Sequence, residues 1–206
     1  VVARAHSGSG VVLCDNMTLR NMTIRNFRYG IYIDSSSNNT LSGNDVEGTS
    51  EGIFLNSSSN NVLSGNNLTR NSDGIALGVS SHNTLSHNTA SHCSQGFRLH
   101  YSSNNVLSGN NAVNNMMGIT LYSSSDNVLS GNNVTANIPQ GILILNLSRK
   151  NTLSGNIISG NGEGIHLISS SDNVVSGNNV TANGIGILFE SSSGNTVSGN
   201  IFAENG

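Results

Sequence analysis

A six-residue segment of the form Asn-Thr/Val-Leu-Ser-Gly-Asn recurs along most of this chain of 206 residues. Its eight copies are separated by 22 residues, except for one step of 24, and begin at Asn39, Asn61, Asn83, Asn105, Asn127, Asn151, Asn173 and Asn195. A glycine before a large apolar residue keeps nearly the same spacing, at Gly30, Gly52, Gly74, Gly96, Gly118, Gly141, Gly164 and Gly186. A fixed period of this length is typical of a solenoid, in which one structural unit stacks on copies of itself. We therefore expect one repetitive domain over residues 1–206.

The apolar residues inside each repeat are two positions apart, as Ile31 and Ile33 are, which is the periodicity of a β-strand. Ser, Asn, Gly and Thr fill the intervening positions, and these residues are poor helix formers but good turn formers. A short coil of this kind places each strand parallel to its copy in the next layer. The sequence therefore predicts an all-β fold, a single-stranded right-handed parallel β-helix of about nine coils with about 22 residues per coil.

Two columns of asparagine run through the repeats, one starting at Asn39 and the other at Asn44. A side-chain amide can donate to one neighbouring layer and accept from the other, and asparagine tolerates the left-handed backbone of a tight corner. We interpret both columns as structural ladders and not as ligand sites.

Composition excludes some classes of function. Only 9% of the residues are charged and the formal net charge is −3, so we expect no nucleic-acid partner. No apolar run is long enough to span a membrane. Cys14 and Cys93 lie several layers apart in different columns, beyond the reach of a disulfide, and are predicted to be free thiols.

The segment Tyr29-Gly-Ile-Tyr-Ile-Asp-Ser-Ser-Ser-Asn-Asn-Thr-Leu-Ser-Gly-Asn44 resembles the parallel β-helix (PbH1) repeats of the NosD-like family. That family comprises periplasmic copper-binding proteins of nitrous oxide reductase maturation and archaeal surface relatives. The resemblance implies an extracytoplasmic protein, on the cell surface, in the periplasm or secreted, that contacts carbohydrate, a metal-insertion partner or the cell envelope. Copper is implied as a cofactor by this resemblance alone. The clustered Asp pairs and Gly-His-Gly of polygalacturonases, which share the coil pattern, are absent.

The residues around the marker glycines supply a candidate catalytic face. Glu51 and Asp73 would lie one layer apart, about 5 Å, which is close enough to raise one carboxyl pKa and support acid/base chemistry. Arg98 and His100 stand above them and could hold a sugar carboxylate. The candidate catalytic residues are therefore Glu51, Asp73, Arg98 and His100, and the candidate ligand-binding aromatic residues are Tyr32, Phe54 and Tyr122. The alternative interpretation is that these side chains are solvent-exposed surface residues without a function.

The fourth coil is rich in histidine and contains a second candidate site. His92 and Cys93 could converge with Met116 from the next layer, and imidazole, thiolate and thioether together suit Cu(I). Ordinary packing of the cysteine and methionine is the alternative interpretation.

Three hypotheses about function follow. The first is a non-enzymatic extracytoplasmic scaffold or binding module of the cell surface, which binds carbohydrate or cell-envelope components. Because neither end carries a polar cap, this chain would be part of a longer protein or a homo-oligomer stacked end to end or laterally. The alternatives are a lyase, hydrolase or epimerase acting on acidic glycans, and a NosD-like copper-handling protein.

Overall fold

The computed structural model describes residues 8–206, which form 27 β-strands and no helix. Each coil contributes one strand to each of three parallel sheets, and every sheet has nine strands in the order of the coils. The predicted β-helix of about nine coils is therefore confirmed. Residues 1–7 of the predicted domain lie outside the described residues. Within residues 8–206, no helix is available that is long and apolar enough to cross a membrane.

The strands are numbered in chain order. Sheet one consists of β1 Ser9–Leu13, β4 Tyr29–Asp34, β7 Glu51–Asn56, β10 Asp73–Gly78, β13 Gln95–His100, β16 Met117–Tyr122, β19 Gln140–Leu145, β22 Glu163–Ile168 and β25 Ile185–Glu190. Sheet two consists of β2 Thr18–Arg20, β5 Thr40–Ser42, β8 Val62–Ser64, β11 Thr84–Ser86, β14 Val106–Ser108, β17 Val128–Ser130, β20 Thr152–Ser154, β23 Val174–Ser176 and β26 Thr196–Ser198. Sheet three consists of β3 Thr23–Arg25, β6 Asp45–Glu47, β9 Asn67–Thr69, β12 Thr89–Ser91, β15 Asn111–Val113, β18 Asn133–Thr135, β21 Ile157–Ser159, β24 Asn179–Thr181 and β27 Ile201–Ala203.

The core is one continuous stack of mostly aliphatic side chains along the solenoid axis, running from Leu13 to Val180. Sheet one supplies two inward positions per coil, such as Ile31 and Ile33, and sheets two and three supply one each. Complete burial of a side chain of this size stabilises the fold by roughly 1.5–3 kcal/mol. In the last coil, Phe189 and Phe202 occupy the same inward positions but are exposed, because no further layer covers them.

Both predicted asparagine ladders are present and buried. Asn66 illustrates the pattern, since its Nδ2 donates to Asn88 Oδ1 at 2.8 Å and to the Leu41 carbonyl oxygen at 3.1 Å. Two further columns, which the sequence analysis did not identify, serve the other corners. One contains Asn71, Asn115, Asn137, Asn161, Asn183 and Asn205, with Thr49 and Cys93 at two of its positions. The other contains Ser36, Ser58, Ser80, Ser102, Ser124, Ser148, Ser170 and Ser192. These ladders satisfy the buried backbone amides of the turns.

The marker glycines are explained by the close approach of adjacent layers. A Cβ atom on Gly74 would lie 2.5 Å from the Gly96 carbonyl oxygen and 2.8 Å from the Ala90 side chain. Such contacts are too short for any side chain, so the corner between sheets three and one requires glycine. The residue before each of these glycines begins the strand of sheet one, which places its side chain beside the corner.

Candidate functional site

The outer face of sheet one carries the predicted catalytic and ligand-binding residues. Glu51 of β7 is in register with Asp73 of β10, and the aromatic column Tyr32 to Phe54 continues through Ala76 to Arg98. His100 and Tyr122 are in register at the far end of their strands. This alignment follows from the strict repeat, because each of these coils places a six-residue strand at the same position and in the same orientation.

Glu51, Asp73 and Arg98 form one partly buried cluster. Arg98 Nε donates to Asp73 Oδ2 at 2.6 Å, and Arg98 Nη2 lies 3.8 Å from Glu51 Oε1. The first contact is a charge-assisted hydrogen bond, whereas the second is an ion pair beyond hydrogen-bonding distance. One guanidinium is therefore shared between two carboxyl groups, and it keeps a terminal nitrogen without a short contact to either of them.

Burial raises the pKa of both carboxyl groups. For Glu51, the charge of Arg98 opposes this effect and the neighbouring Asp73 adds to it, so the pKa stays above its ordinary value. For Asp73, the charge and hydrogen bond of Arg98 oppose burial, and the pKa is again raised. Glu51 Oε2 is also buried without a hydrogen-bond partner. Of the two, Asp73 makes the short contact with Arg98, whereas Glu51 lies farther from the guanidinium and has one unpaired oxygen.

A second group of side chains lies above this cluster. The His100 ring centroid is 4.4 Å from that of Tyr101 and 4.8 Å from that of Tyr122. Burial, with a smaller effect of the Arg98 charge, lowers the pKa of His100. The imidazole is therefore favoured in its neutral form, which can accept a proton. Tyr101 was not among the predicted residues because it follows the strand, at a position with a positive φ of 51°.

A third group lies below the cluster. Tyr29, Tyr32 and Phe54 stack with ring centroids 5.0 to 5.8 Å apart, and the Arg28 guanidinium lies 5.0 Å from the Tyr29 ring centroid. Burial is the largest cause of the raised pKa of the Tyr32 phenol. The carboxylate cluster therefore lies between two aromatic groups on the same face, and aromatic faces pack well against the apolar face of a ring.

The residues of the predicted metal site lie together, but their side chains differ in exposure. His92 and Met116 are exposed, whereas Cys93 is 4% exposed and occupies an asparagine position in the third ladder. The Cys93 Sγ contacts the Ser91 carbonyl oxygen at 3.4 Å, and burial raises the thiol pKa, which disfavours the thiolate that a metal would need. Within residues 8–206, no three His, Cys, Asp or Glu side chains are grouped to hold a metal ion. The copper site stays a prediction.

An open groove of about 860 Å³ follows the corner between sheets three and one, beside the carboxylate cluster. Its lining is mostly amide and hydroxyl groups, with Arg70 and His92 as basic residues and Phe27 and Met116 as apolar ones. Ser50 and Ser72, which also line the groove, immediately precede Glu51 and Asp73 in the sequence. Glu51, Asp73 and Arg98 themselves are not part of its lining. Cys14 and Cys93 are both free thiols, as predicted.

A further cluster on the same face was not predicted as a site. It contains Gln140, Glu163, His166 and Glu190, which occupy the same columns as Glu51, Phe54 and Asn56. His166 Nδ1 lies 2.8 Å from Glu163 Oε2. The sequence places these residues in the site columns, and that position is the feature that could have identified them.

Solved structures with the same fold include several polysaccharide-active enzymes. The periplasmic alginate epimerase AlgG matches with a TM-score of 0.81 and 22% identity, over 89% of this chain and 50% of the AlgG chain. The A-module of the Azotobacter vinelandii mannuronan C-5 epimerase AlgE4 matches with a TM-score of 0.77 and 16% identity, over 93% of this chain and 70% of that one. An alginate lyase from a Paenibacillus species matches with a TM-score of 0.60 and 11% identity, over 81% and 76% of the two chains.

These identities establish a shared fold and no more. The chain spans about half the length of the AlgG structures that it matches. Comparison with the sequences of curated proteins gives no match. The family described as "right handed beta helix region" matches residues 9–156 and 118–206, which together cover nearly the whole chain, without separating a NosD-like or archaeal subgroup. The chain therefore belongs to the right-handed β-helix family.

Proposed function

We propose that this protein processes an acidic polysaccharide on the outer face of sheet one, by removing the proton next to a sugar carboxylate. The observation that carries the proposal is the partly buried Glu51–Asp73–Arg98 cluster between two aromatic groups. The names of the structural relatives, an alginate epimerase, a mannuronan C-5 epimerase and an alginate lyase, support polysaccharide processing over a purely structural scaffold. An extracytoplasmic location goes with this proposal, since AlgG is described as periplasmic.

We propose a role for each residue. Asp73 binds Arg98 through Nε, which orients the guanidinium and leaves its terminal nitrogens to bind the sugar carboxylate. Pairing that carboxylate with a cation makes the adjacent carbon-bound proton more acidic. Neutral His100 removes the proton, and Glu51 in its protonated form can donate one, so the pair supplies the base and the acid. Tyr32, Phe54 and Tyr122 provide surfaces on which sugar rings stack.

Elimination or epimerisation fits this arrangement better than hydrolysis. A glycoside hydrolase places two carboxyl groups on either side of the scissile bond. Here, Arg98 contacts both Asp73 and Glu51 and holds them on one side. Both elimination and epimerisation begin with loss of the same proton, and they differ only in whether the glycosidic bond then breaks or the carbon is reprotonated.

The test uses purified protein with polymannuronate, polyguluronate and polygalacturonate. Ultraviolet absorbance detects unsaturated ends, and proton NMR detects epimerised units. We expect Asp73→Asn and Arg98→Gln to lower the turnover rate about 100-fold or more, the cost of removing one group that stabilises developing charge. Asp45→Asn and Arg25→Gln are matched controls, because this pair forms an exposed carboxylate–guanidinium contact at 3.9 Å on sheet three. Folded wild-type protein that is inert on all three polymers would overturn the proposal.

A carbohydrate-binding module without catalysis is the second candidate. It is favoured by the resting contacts of Arg98, whose guanidinium is hydrogen bonded to Asp73 and lies 3.8 Å from Glu51. In that case, the protein would bind the oligosaccharides at the aromatic groups and leave them unchanged. End-to-end or lateral stacking of copies stays a prediction, to be tested by electron microscopy of the purified protein.

A further inference from the structure

The second cluster on sheet one contains a histidine that is buried and incompletely hydrogen bonded. His166 is 5% exposed, and its Nδ1 lies 2.8 Å from Glu163 Oε2. Gln140 Nε2 donates to the same oxygen at 3.0 Å, so this carboxylate acts as a double acceptor. Because Glu163 Oε2 already accepts a hydrogen bond from Gln140, the tautomer with the hydrogen on His166 Nδ1 fits this contact. The other ring nitrogen, Nε2, is then an acceptor when the imidazole is neutral.

No group among residues 8–206 forms a hydrogen bond to that second nitrogen. His166 Nε2 is buried without a hydrogen-bond partner, and the closest carboxylate oxygen, Glu190 Oε1, lies 3.6 Å away, beyond hydrogen-bonding distance. An unsatisfied buried polar atom costs about 1–3 kcal/mol. Glu190 is 53% exposed at its side chain and is free to turn toward a ligand. The buried nitrogen and the exposed carboxylate therefore lie side by side, 3.6 Å apart.

Stability gives no reason for a histidine at this position. The in-register neighbours of His166 on the adjacent strands are Leu143 and Leu188, so leucine is the ordinary residue of this part of the column. Replacing both partners of a buried hydrogen-bonded pair by apolar residues of similar shape is often neutral or stabilising. The imidazole and the glutamate that contacts it therefore indicate a polar ligand, which leucine side chains at this position could not bind.

The geometry points to a sugar-binding subsite, in which His166 Nε2 and Glu190 accept hydrogen bonds from two adjacent hydroxyl groups of one sugar unit. The ligand must supply hydrogen-bond donors and must not carry a negative charge at this point, because two carboxylates flank the imidazole. The hydroxyl face of a uronate meets both requirements, whereas its carboxylate does not. This subsite rests on the proposed function for the identity of the polymer.

The subsite lies on the same face as the proposed catalytic residues. Arg98 is in register with Thr120, Thr120 with Leu143, and Leu143 with His166, so three layers, or about 14 Å, separate Arg98 from His166. A polymer running along the solenoid axis, with one sugar carboxylate at Arg98, would therefore reach His166 with a later unit. A disaccharide would be too short to contact both.

Calorimetric titration of the full protein with a mannuronate disaccharide and hexasaccharide tests the subsite. We expect His166→Leu to weaken hexasaccharide binding about fivefold to tenfold, the effect of about 1 kcal/mol, with disaccharide affinity unchanged. Urea unfolding of the same variant checks that it is folded under the conditions of the titration, which separates loss of a ligand from loss of the fold. Glu190→Ala, at an exposed position, should also weaken hexasaccharide binding. Ser176→Ala, in the same coil on sheet two, is the control.

Equal hexasaccharide affinity in wild type, His166→Leu and Glu190→Ala would overturn the subsite. A second result would also overturn it, namely that the imidazole NMR resonances of His166 shift with a cationic glucosamine hexasaccharide but not with the mannuronate hexasaccharide. That result would indicate a cation-binding site. The subsite and the proposed function fail separately. Binding that depends on His166 without any turnover refutes the catalysis alone, and turnover with a dispensable His166 refutes the subsite alone.

Discussion

Arg98 Nε donates a hydrogen bond of 2.6 Å to Asp73 Oδ2 on the neighbouring coil. This contact orients the guanidinium, because it holds Nε against the Asp73 carboxyl group and directs the terminal nitrogens away from it. Glu51 lies 3.8 Å from the same guanidinium, so it is paired with the charge of Arg98 less closely than Asp73 is.

The first prediction concerns the pH dependence of stability. Burial raises the pKa of Glu51 and Asp73 in the folded protein, so folding favours the protonated carboxyl groups. Their contribution to the free energy of unfolding is therefore complete below the ordinary carboxyl pKa of about 4 and falls as the pH rises through the raised values. We expect Glu51→Gln to flatten this fall in urea unfolding measured across a pH series. Glu47→Gln, on sheet three, is the control, and equal slopes in Glu51→Gln and wild type would refute the prediction.

The second prediction concerns the cysteine in the third ladder. Cys93 stands where the neighbouring coils have Asn71 and Asn115, and its weakly bonding thiol contacts the Leu68 carbonyl oxygen only at 3.9 Å. Cys93→Asn would restore amide hydrogen bonds to both layers, so we expect the free energy of unfolding to rise by about 1 kcal/mol. Urea denaturation measures this change, with Cys93→Ala as the comparison. An Asn variant no more stable than the Ala variant would contradict the ladder interpretation.

The third prediction concerns the interior of a ladder. Asn88 donates to Asn110 Oδ1 at 3.0 Å and to the Leu63 carbonyl oxygen at 2.9 Å, and it accepts from Asn66. Asn88→Ala leaves these buried groups unsatisfied, and we expect a loss of about 1–3 kcal/mol in the free energy of unfolding. Asn111→Ala, on the outer side of sheet three, should cost much less. A similar small cost for both variants would count against the ladders as a source of stability.

The fourth prediction concerns the aromatic group below the carboxylates. Phe54 stacks on Tyr29 and Tyr32, and its removal takes away part of the surface proposed for a sugar ring. We expect Phe54→Ala to weaken oligouronate binding about threefold to tenfold, as for the loss of one aromatic contact. Calorimetry with a mannuronate hexasaccharide gives the affinity. Val62→Ala, an exposed aliphatic residue on sheet two, should bind as wild type does; an unchanged affinity of Phe54→Ala would remove this residue from the binding face.

The register of the predicted site residues could be obtained from the sequence because the repeat has a constant length. Once Gly52 and Gly74 are aligned, Glu51 and Asp73 must be neighbours, and the same alignment makes Ile53 and Ile75 inward residues. The asparagine columns followed in the same way, since identical polar residues at one position of a closed coil meet their copies above and below.

The sequence by itself determined the β-helix, its core and the columns of its outer face, because these depend on the period and on the alternation of side chains. Only the tertiary structure decided which side chains within the face contact one another. Arg98 turns down to Asp73, Cys93 turns inward to a backbone carbonyl oxygen, and His166 pairs with Glu163. These choices depend on the rotamers, burial and electrostatic balance of each local environment, and the repeat is the same whichever way a side chain turns.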